Sequence, residues 1–405
     1  MRNIGLNDFR VATSETARDI NRRIVLNLIR KHQPVSRADL SRHSGLQRST
    51  VSAIAEELIA DRWISEGAVD NLPRGRKPTF LHINAHRVGI FGINVRPCAI
   101  NMALANLDGR FLVQETMPTP ASQEEFVARI SEHIRDLMMQ HPEMDYEGVG
   151  VSLPGRVDLT SQKFIFAPNL GWKRDDLKQQ LELATGLSVE LENEANACAL
   201  SEFWFGRQTE GVRNLIAVAV SEGIGVGMVL NGQLVRGPSG LAGEFGHIAI
   251  SHDGPKCSCG NHGCWEVYAS NSAALRFYQQ KISVRNGSGS RTPAAAADFD
   301  ELLKLAEHGN PKAGEAIDQM ARHLGEGMAM LVTGLAPDLI VVVGEVTRAW
   351  ERIEPIINDV IRQRSFTHAA TRVIASGPAP LPRLRGIIAL VLQKRFGVPI
   401  IAYQA

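Results

Sequence analysis

Between residues 18 and 31, apolar side chains recur every three or four positions along an otherwise polar segment. This spacing predicts a helix with one buried stripe, made of Ile20, Ile24 and Leu28 with Val25 beside them. Ser36 and Asp39 then have the spacing of a capping box, with Asp in place of the usual Glu. A second helix is therefore predicted to begin there and to run through Arg42.

A third helix is predicted after Gly45, which supplies a tight turn, and its inward positions would be Val51, Ile54 and Leu58. Two helices joined by a short turn form the helix-turn-helix arrangement. In that geometry the later helix enters the major groove of DNA, and its first residues face the base edges. The predicted DNA contacts are the polar residues that open the second and third helices: Ser36, Arg37, Gln47, Arg48, Ser49, Thr50 and Ser52.

After Trp63 the pattern predicts a wing, a hairpin that ends at residues 79–83. Its basic loop, Arg74-Gly75-Arg76-Lys77, would place arginine side chains in a narrow minor groove. Residues 1–82 are thus predicted to form an all-α winged helix-turn-helix domain with its linker. The alternative is a three-helix interaction module whose charges are only solvated.

The charge is divided unevenly along the chain. The whole sequence has 44 Lys and Arg against 43 Asp and Glu, which excludes a protein that is basic throughout. Residues 1–82 contain 14 basic and 9 acidic residues, whereas the remainder contains 30 and 34. A basic head on a mildly acidic body predicts that DNA contacts are confined to the head and weaken with salt.

Strand-like and helical segments alternate after the head, which predicts an α/β architecture. The predicted elements are Val88–Ile93, Asn101–Asn106, Glu124–Gln140, Gly148–Ser152 and Leu177–Thr185. Residues 286–293 are rich in Gly and Ser and are predicted to form an exposed loop. A hydrophobic fraction of 44% with 21% charged residues excludes a disordered chain.

The longest apolar runs, Leu339–Val343 and Ile387–Leu392, are much shorter than the ~20 residues of a membrane span. They are predicted to be a buried strand and a buried helix face. The first residues lack the apolar core of a signal peptide. These features, with only five cysteines, predict a cytoplasmic protein without a disulfide scaffold.

Three of those cysteines lie close together, at Cys257, Cys259 and Cys264. With His247 they offer four ligands of the kind that structural zinc binds tetrahedrally. His252 and His262 are rival imidazole ligands, and the spacing does not choose among the three. The alternative is a set of reduced thiols with no metal.

Two runs around the cysteines resemble the signature of the ROK family, which comprises repressors, open reading frames and sugar kinases. They are Gly243-Glu-Phe-Gly-His247 and Cys257-Ser-Cys-Gly-Asn-His-Gly-Cys-Trp-Glu266. Further similar segments follow the family order: Ser152–Asp158, Pro168–Trp172, Glu192–Asn196, Gly223–Gly227 and Pro337–Gly344. The resemblance extends from about residue 88 to residue 400. A helix-turn-helix ahead of this body resembles the repressor branch, which includes xylose and N-acetylglucosamine repressors.

The resemblance implies an actin-like, ribonuclease-H-like α/β body with a sugar cleft between two lobes. We assign residues 83–198 to the first lobe, joined by a C-terminal helix over 384–405, and residues 199–383 to the second. The family's sugar contacts map onto Asn169, Asn193, Glu194, Glu244, His247 and Glu266. The family signature also favours His247 as the histidine ligand of the metal. The alternative for each carboxylate is a surface ion pair or a helix cap.

The nucleotide-binding motifs of ROK kinases are altered. Asp-x-Gly-Gly-Thr is replaced by Asn94-Val-Arg-Pro-Cys98, and Gly-Thr-Gly-Ile-Gly by Ser221-Glu-Gly-Ile-Gly225. The Gly-Gly pair near the adenosine becomes Gly344-Glu345, and the catalytic Asp becomes Glu194. Phosphoryl transfer depends mainly on positioning and charge stabilisation, so the chain is predicted not to be an enzyme.

The combined prediction is a transcription factor, a repressor whose affinity for a pseudo-palindromic operator is changed by a bound sugar. We expect a homo-oligomer, either a dimer or a dimer of dimers, because operator half-sites lie one helical turn apart, ~34 Å. Two alternatives stay open. One is an active sugar kinase with a DNA-binding head, and the other is a regulator controlled by a protein partner.

Overall fold

A computed structural model describes most of the chain. The described residues are 14–67, 79–158, 163–166, 170–172, 176–206, 209, 211–237, 240–283, 296–365, 370–377 and 382–397. The predicted loop over 286–293 lies outside them. Within these ranges, none of the helices has the length and hydropathy that crossing a bilayer requires.

The head contains three helices and a small antiparallel sheet. Its elements are α1 (Ser14–His32), β1 (Val35–Ser36), α2 (Arg37–Ser44), α3 (Arg48–Ala60), β2 (Ile64–Gly67) and β3 (Phe80–Ile83). The sheet has the order β1-β3-β2, and β2 and β3 are the strands of the predicted hairpin. The short strand β1, which precedes α2, was not predicted, so the helical head also has a third strand at the base of its wing.

The predicted start of α2 is confirmed, because the Ser36 hydroxyl accepts a hydrogen bond from the Asp39 backbone N–H at 3.2 Å. Gly45 ends α2 with a φ of +73°, a left-handed conformation that glycine adopts without strain. The predicted inward face of α3 is confirmed, since Val51, Ile54 and Leu58 are buried. The sequence therefore specifies this part of the head through its caps and its apolar spacing.

The predicted stripe on α1 is only partly confirmed, because Val25 is buried and Leu28 packs against the same hydrophobic cluster while Ile24 does not face the core. The residues that α1 buries are Val25, Leu26 and Ile29, whereas Ile24 is 40% exposed. The physical reason is that α1 packs against the body as well as against α2 and α3, and one hydrophobic cluster includes residues from both units. A second packing surface rotates the buried face of the helix away from the face that the head alone would favour.

The first lobe contains a five-stranded sheet of order β10-β7-β4-β5-β6. Its elements are β4 (Val88–Val95), β5 (Ala99–Ala105), β6 (Phe111–Pro118), α4 (Gln123–Gln140), β7 (Asp145–Leu153), β8 (Arg156–Asp158), β9 (Lys163–Phe166), α5 (Leu177–Thr185), β10 (Val189–Asn193) and α6 (Glu194–Phe205). Strands β4, β7 and β10 are parallel, while β5 and β6 continue the sheet antiparallel. The five predicted elements of this lobe are confirmed.

The second lobe contains another five-stranded sheet, of order β13-β12-β11-β14-β15. Its elements are β11 (Leu215–Val220), β12 (Ile224–Leu230), β13 (Gln233–Val235), α7 (Glu266–Ala269), α8 (Asn271–Ser283), α9 (Phe299–Glu307), α10 (Pro311–Leu335), β14 (Leu339–Val343), α11 (Trp350–Arg364) and β15 (Arg372–Ala375), followed by α12 (Pro382–Phe396). If the five strands of each sheet are numbered 1 to 5 in chain order, both sheets have the same strand order, 3-2-1-4-5. This order is β6-β5-β4-β7-β10 in the first lobe and β13-β12-β11-β14-β15 in the second. The repeated topology matches the predicted two-lobed body, although no internal repeat is evident in the sequence.

Helices α6 and α12 lie between the two sheets. Helix α12 contacts β4 and β7 of the first lobe, and α6 contacts β11 and β12 of the second. The layers approach closely because glycines in the strands lie against the backbone of these helices. A Cβ added at Gly150 would lie 2.6 Å from the Ile387 carbonyl oxygen in α12, and a Cβ added at Gly227 would lie 2.2 Å from the Ala195 carbonyl oxygen in α6. The predicted lobe boundary at residue 198 falls within α6, which contacts both lobes, and the exact division stays a prediction.

Candidate functional site

The predicted recognition helix presents its first turn to solvent. Gln47, Arg48 and Ser49 are exposed, while Thr50 and Ser52 are partly exposed. Arg48 makes no ion pair with any residue that the structure describes, which leaves its guanidinium free to bind a base edge or a phosphate. These side chains form one polar surface at the N-terminal end of α3.

Two other predicted DNA contacts, Ser36 and Arg37, make contacts within the head. The Ser36 hydroxyl caps α2, and Arg37 Nη1 lies 2.6 Å from Glu66 Oε1 in β2. This ion pair ties the start of α2 to the wing and so fixes the wing beside the recognition helix. The predicted basic loop, Arg74-Gly75-Arg76-Lys77, lies outside the described residues.

The structure brings together His247, Cys257, Cys259 and Cys264, whose ligand atoms all lie within 4.8 Å of one another. The Sγ atoms of Cys259 and Cys264 are 3.7 Å apart, and the Sγ of Cys257 is 3.5 Å from His247 Nδ1. A tetrahedral zinc ion, with bonds of ~2.3 Å to sulfur and ~2.0 Å to nitrogen, separates its ligand atoms by roughly 3.5–3.8 Å. The four side chains therefore fit a metal ion.

Of the three candidate histidines, His247 is the one in this cluster. Its Nδ1 faces the cysteines, while its Nε2 lies 3.6 Å from Glu244 Oε2. The other two histidines lie outside the cluster. The Nδ1 of His262 is 3.2 Å from the Gly254 carbonyl oxygen, and His252 is exposed. One imidazole thus has one nitrogen toward the metal ligands and the other toward a carboxylate.

Glu266 connects the cysteines to the predicted sugar contacts. The Cys257 thiol donates a hydrogen bond of 2.8 Å to Glu266 Oε1, which also lies 3.4 Å from His247 Nδ1. Burial and this hydrogen bond raise the pKa of the Cys257 thiol. The other oxygen of Glu266 would be 2.7 Å from a Cβ at Gly223, so a larger residue there would displace the carboxylate. Glu244, His247 and Glu266 form a continuous polar group beside the loop over 221–225.

Local backbone chemistry positions this segment. Gly263 has a φ of +70°, and an added Cβ would lie 1.7 Å from the Ser251 carbonyl oxygen. Trp265 is fully buried, and its indole N–H donates a hydrogen bond of 2.8 Å to the His323 carbonyl oxygen. Because Cys264 and Glu266 flank this anchored tryptophan, the candidate metal ligands and the carboxylate are positioned by the same residue.

Asn193 and Glu194 lie where β10 meets α6. The Asn193 side chain caps α6, accepting a hydrogen bond of 2.7 Å from the Ala195 backbone N–H, and donates one of 2.6 Å to the Gly155 carbonyl oxygen. Its amide therefore has a structural role alongside any ligand contact. Asn169, the remaining predicted sugar contact, lies outside the described residues.

Sequence reasoning missed Arg383, whose Nε lies 2.9 Å from Glu194 Oε2. Burial by itself lowers the pKa of this guanidinium. The negative charges nearby, above all Glu194 and also Glu345 and Glu222, raise the pKa by more than burial lowers it, so the net pKa is raised. The signal available in the sequence is a charged residue just before the apolar run of α12. Its partner is almost two hundred residues away, so spacing could not identify it.

The segments predicted to be altered nucleotide loops make internal contacts. Asn94 is buried and its side-chain oxygen accepts a hydrogen bond of 2.6 Å from the Ser152 hydroxyl. Arg96 lies 3.8 Å from Glu222 across the two loops. The Glu345 carboxylate accepts a hydrogen bond of 3.2 Å from the Asn271 amide. Acidic side chains, Glu222 and Glu345, thus lie in two of these segments.

A helix-turn-helix head joined to two lobes of one topology defines a DNA-binding protein built on a sugar-kinase fold. The chain belongs to the ROK family, whose family model matches residues 90–394. The model for winged helix-turn-helix DNA-binding domains matches residues 18–65. The family resemblance that the motifs indicated is therefore confirmed.

Several known proteins are similar to this chain. The xylose repressor of Bacillus subtilis strain 168 is 32% identical over 334 residues, which is 82% of this chain and 83% of that protein. A crystal structure of a ROK family transcriptional regulator, a homologue of the E. coli MLC protein, has a TM-score of 0.83 at 27% identity, covering 94% of this chain and 98% of that one. A ROK family glucokinase from Streptomyces griseus, in complex with glucose and AMPPNP, has a TM-score of 0.65 at 29% identity, covering 75% and 99%.

Proposed function

We infer that this chain is a DNA-binding transcriptional repressor that responds to a sugar. The observation that carries the inference is the union, in one chain, of an exposed recognition helix with a sugar-kinase fold whose relatives include named repressors. The head would bind operator DNA through Gln47, Arg48, Ser49, Thr50 and Ser52. The cleft would bind the effector through Asn169, Asn193, Glu194, Glu244, His247 and Glu266.

We propose further that the chain has no kinase activity. In a kinase of this fold, the carboxylate at the position of Glu194 would accept a proton from a sugar hydroxyl. Here Glu194 Oε2 lies 2.9 Å from Arg383 Nε, so a sugar hydroxyl would compete with this guanidinium for the carboxylate. Glu222 and Glu345 would also repel the phosphates of a nucleotide, because like charges at a binding site disfavour binding.

The proposed metal is zinc, held by His247, Cys257, Cys259 and Cys264. Three thiolates and one imidazole form a closed ligand set, which is typical of structural rather than catalytic zinc. The ion would supply a rigid crosslink and no chemistry of reaction. By holding His247 through Nδ1, it would fix the direction in which Nε2 faces the effector.

The charge of the cleft favours an uncharged sugar. Five carboxylates lie among the proposed sugar contacts and the neighbouring loops, namely Glu194, Glu222, Glu244, Glu266 and Glu345. Among the described residues, the cations that interact with them are Arg96 and Arg383. A phosphorylated sugar would meet net negative charge there. Carboxylates and amides instead suit ring hydroxyls, whose absence would leave buried groups unpaired and so give selectivity.

We propose that the chain acts as a homodimer, or a dimer of dimers, on a pseudo-palindromic operator. A single head covers one half-site, and two heads must be ~34 Å apart to bind half-sites one turn from each other. Sugar binding that changes the closure of the lobes would change this spacing. Light scattering of the chain with and without operator DNA measures the stoichiometry.

The test begins with thermal shift of the full chain against neutral and phosphorylated sugars, with D-xylose first because of the named relatives. Operator DNA is obtained by selecting a random duplex library on the purified chain, and its affinity is then measured with each sugar that stabilises the protein. We expect a neutral sugar to raise the melting temperature and to change operator affinity at least tenfold. A phosphorylated sugar as the sole ligand would overturn the electrostatic argument.

A matched pair of variants makes the test specific. Glu266→Gln should lose most of the sugar-induced shift, because its carboxylate lies in the proposed cleft. Glu132→Gln, on the exposed face of α4, should retain it. If no sugar of either class stabilises the chain, or if a coupled assay detects turnover near one per second with Mg-ATP, the proposed function is wrong.

A further inference from the structure

Two neighbouring helices connect the proposed effector cleft to the DNA-binding head. Helix α6 begins at Glu194 and α12 carries Arg383 at its second position, so the Glu194–Arg383 ion pair of 2.9 Å joins the two N-terminal ends. At their C-terminal ends lie Trp204 and Phe396, whose ring centroids are 6.4 Å apart with an edge-to-face geometry. The same helix pair therefore begins at the cleft and ends at the aromatic contact.

Helix α1 of the head contacts the C-terminal ends of α6 and α12, where Trp204 and Phe396 lie. The Arg30 guanidinium carbon lies 4.6 Å from the centroid of the Trp204 ring and 5.3 Å from that of Phe396. The Asn27 amide donates a hydrogen bond of 2.6 Å to the Phe396 carbonyl oxygen. Arg23 Nη1 donates another, of 3.2 Å, to the carbonyl oxygen of Gly397. One face of α1 thus contacts both helices at once.

The packing between α6 and α12 is tight enough to transmit a displacement. An added Cβ at Gly386 would lie 1.6 Å from the Ala197 carbonyl oxygen, so the two backbones touch. The helices contain 12 and 15 residues, which gives lengths of roughly 18 and 22 Å. Closely packed helices shift as units rather than deforming continuously.

We propose that the α6–α12 pair is the relay by which the effector changes the position of the head, with Arg30 as the positioning residue at the receiving end. This rests on the proposed function. A sugar hydroxyl that binds Glu194 competes with Arg383 for the same carboxylate. The N-terminal ends of the two helices then lose part of their mutual attraction and shift, and Trp204 and Phe396 move together with Arg30. A ligand acts on an equilibrium only through such differential contacts.

The first experiment needs neither sugar nor operator. Amide hydrogen exchange is measured on the full-length protein carrying Glu194→Gln or Arg383→Gln, with circular dichroism to check folding. The control is Asp318→Asn, which breaks a comparable interhelical pair with Arg352 in the second lobe. We expect exchange in α1 to become at least threefold faster in both cleft variants and to stay unchanged in the control. Unchanged exchange in α1, with altered exchange at residues 194–197, would overturn the relay.

The second experiment uses reciprocity, because coupled sites change each other's affinity by the same factor, typically 5–150-fold. Arg30→Met retains an apolar stem but removes the charge, and D-xylose is the first probe, followed by whichever sugar the thermal screen identifies. We expect the Kd of the sugar to change at least fivefold. Arg18→Ala, which removes an ion pair with Glu57 inside the head, should leave it unchanged.

The two experiments separate the two proposals. A sugar that binds with equal affinity to the wild type and to Arg30→Met would refute the relay and leave the proposed function standing. If no sugar binds, the proposed effector fails, and the exchange measurement alone still decides whether the cleft ends of α6 and α12 are coupled to α1.

Discussion

Glycine-to-alanine substitutions in two helices should change stability in opposite directions. Gly386 lies in α12 against α6, where an added methyl group would be 1.6 Å from the Ala197 carbonyl oxygen and 2.3 Å from its carbon. Gly334 lies in the last turn of α10, where an added methyl group meets nothing within 4 Å. Both substitutions replace glycine with alanine in a helix, so both gain the same intrinsic helix propensity. The difference between their changes in unfolding free energy therefore reports the contact between α6 and α12.

The magnitude for Gly386→Ala follows from the geometry. To reach an ordinary carbon–oxygen separation the helices must move apart by about 1.5–2 Å, and overpacking of this kind costs about 3 kcal/mol against a backbone neighbour. Alanine recovers about 1 kcal/mol of helix propensity. For a cooperative unit of about 150–250 residues, the size of one lobe, the net loss of about 2 kcal/mol corresponds to a fall of roughly 4–8 °C in melting temperature. Gly334→Ala should instead gain up to about 1 kcal/mol.

Thermal unfolding followed by near-ultraviolet circular dichroism measures both variants under one set of conditions. We expect the Gly386→Ala variant to melt well below the wild type and Gly334→Ala to melt at or slightly above it. If Gly386→Ala melts within about 1 °C of the wild type, the close contact between the two helices is not a feature of the folded protein. The relay between cleft and head would then lose its structural basis.

Three further outcomes follow from individual side chains. Cys259→Ser should reduce the zinc bound per chain to about a third or less, because a closed four-ligand site loses one thiolate, while Cys198→Ser in the buried core should keep it, as measured by metal analysis. Burial raises the pKa of Glu202, whose carboxylate accepts a hydrogen bond from Ser376. The folded state therefore holds this proton to higher pH than the unfolded state, and stability is lost as pH rises through the raised pKa. Glu202→Gln should match the wild type in melting temperature near pH 4 and exceed it at pH 7; a constant difference would contradict this. Arg48→Ala should weaken operator binding tenfold or more without changing sugar affinity, and an unchanged operator affinity would remove Arg48 from the recognition surface.

Local rules predicted the parts of the fold that depend on neighbours in the sequence. The cap at Ser36, the left-handed turn at Gly45 and the inward face of α3 are all interactions within a few residues, and the structure has them as predicted. The stripe on α1 was predicted only in part, because its buried face also packs against α12, more than 350 residues away. Apolar spacing predicts that a helix forms. It does not predict which of two adjacent helix faces is buried when a segment distant in sequence packs against one of them.

The metal cluster and its histidine show the same division. Three cysteines within eight positions already predicted a metal site, because their spacing lets one turn hold several ligands. Spacing alone did not distinguish His247 from His252 and His262. The structure places the Nδ1 of His247 3.5 Å from the Cys257 sulfur, because the 3₁₀ turn over Glu244–His247 packs against β12.

What the sequence determined by itself is the set of parts: a basic winged head, an α/β body, a cluster of thiols and one imidazole that could bind a metal, and the segments predicted to be altered phosphate loops. Each is encoded by residues that lie close together along the chain, so periodicity, caps and motif spacing reveal it. The pairing of Glu194 with Arg383 and the contact of Arg30 with Trp204 and Phe396 were decided only by the tertiary structure. These contacts join segments far apart in sequence, and side-chain packing between layers, which no local pattern records, brings them within reach of each other.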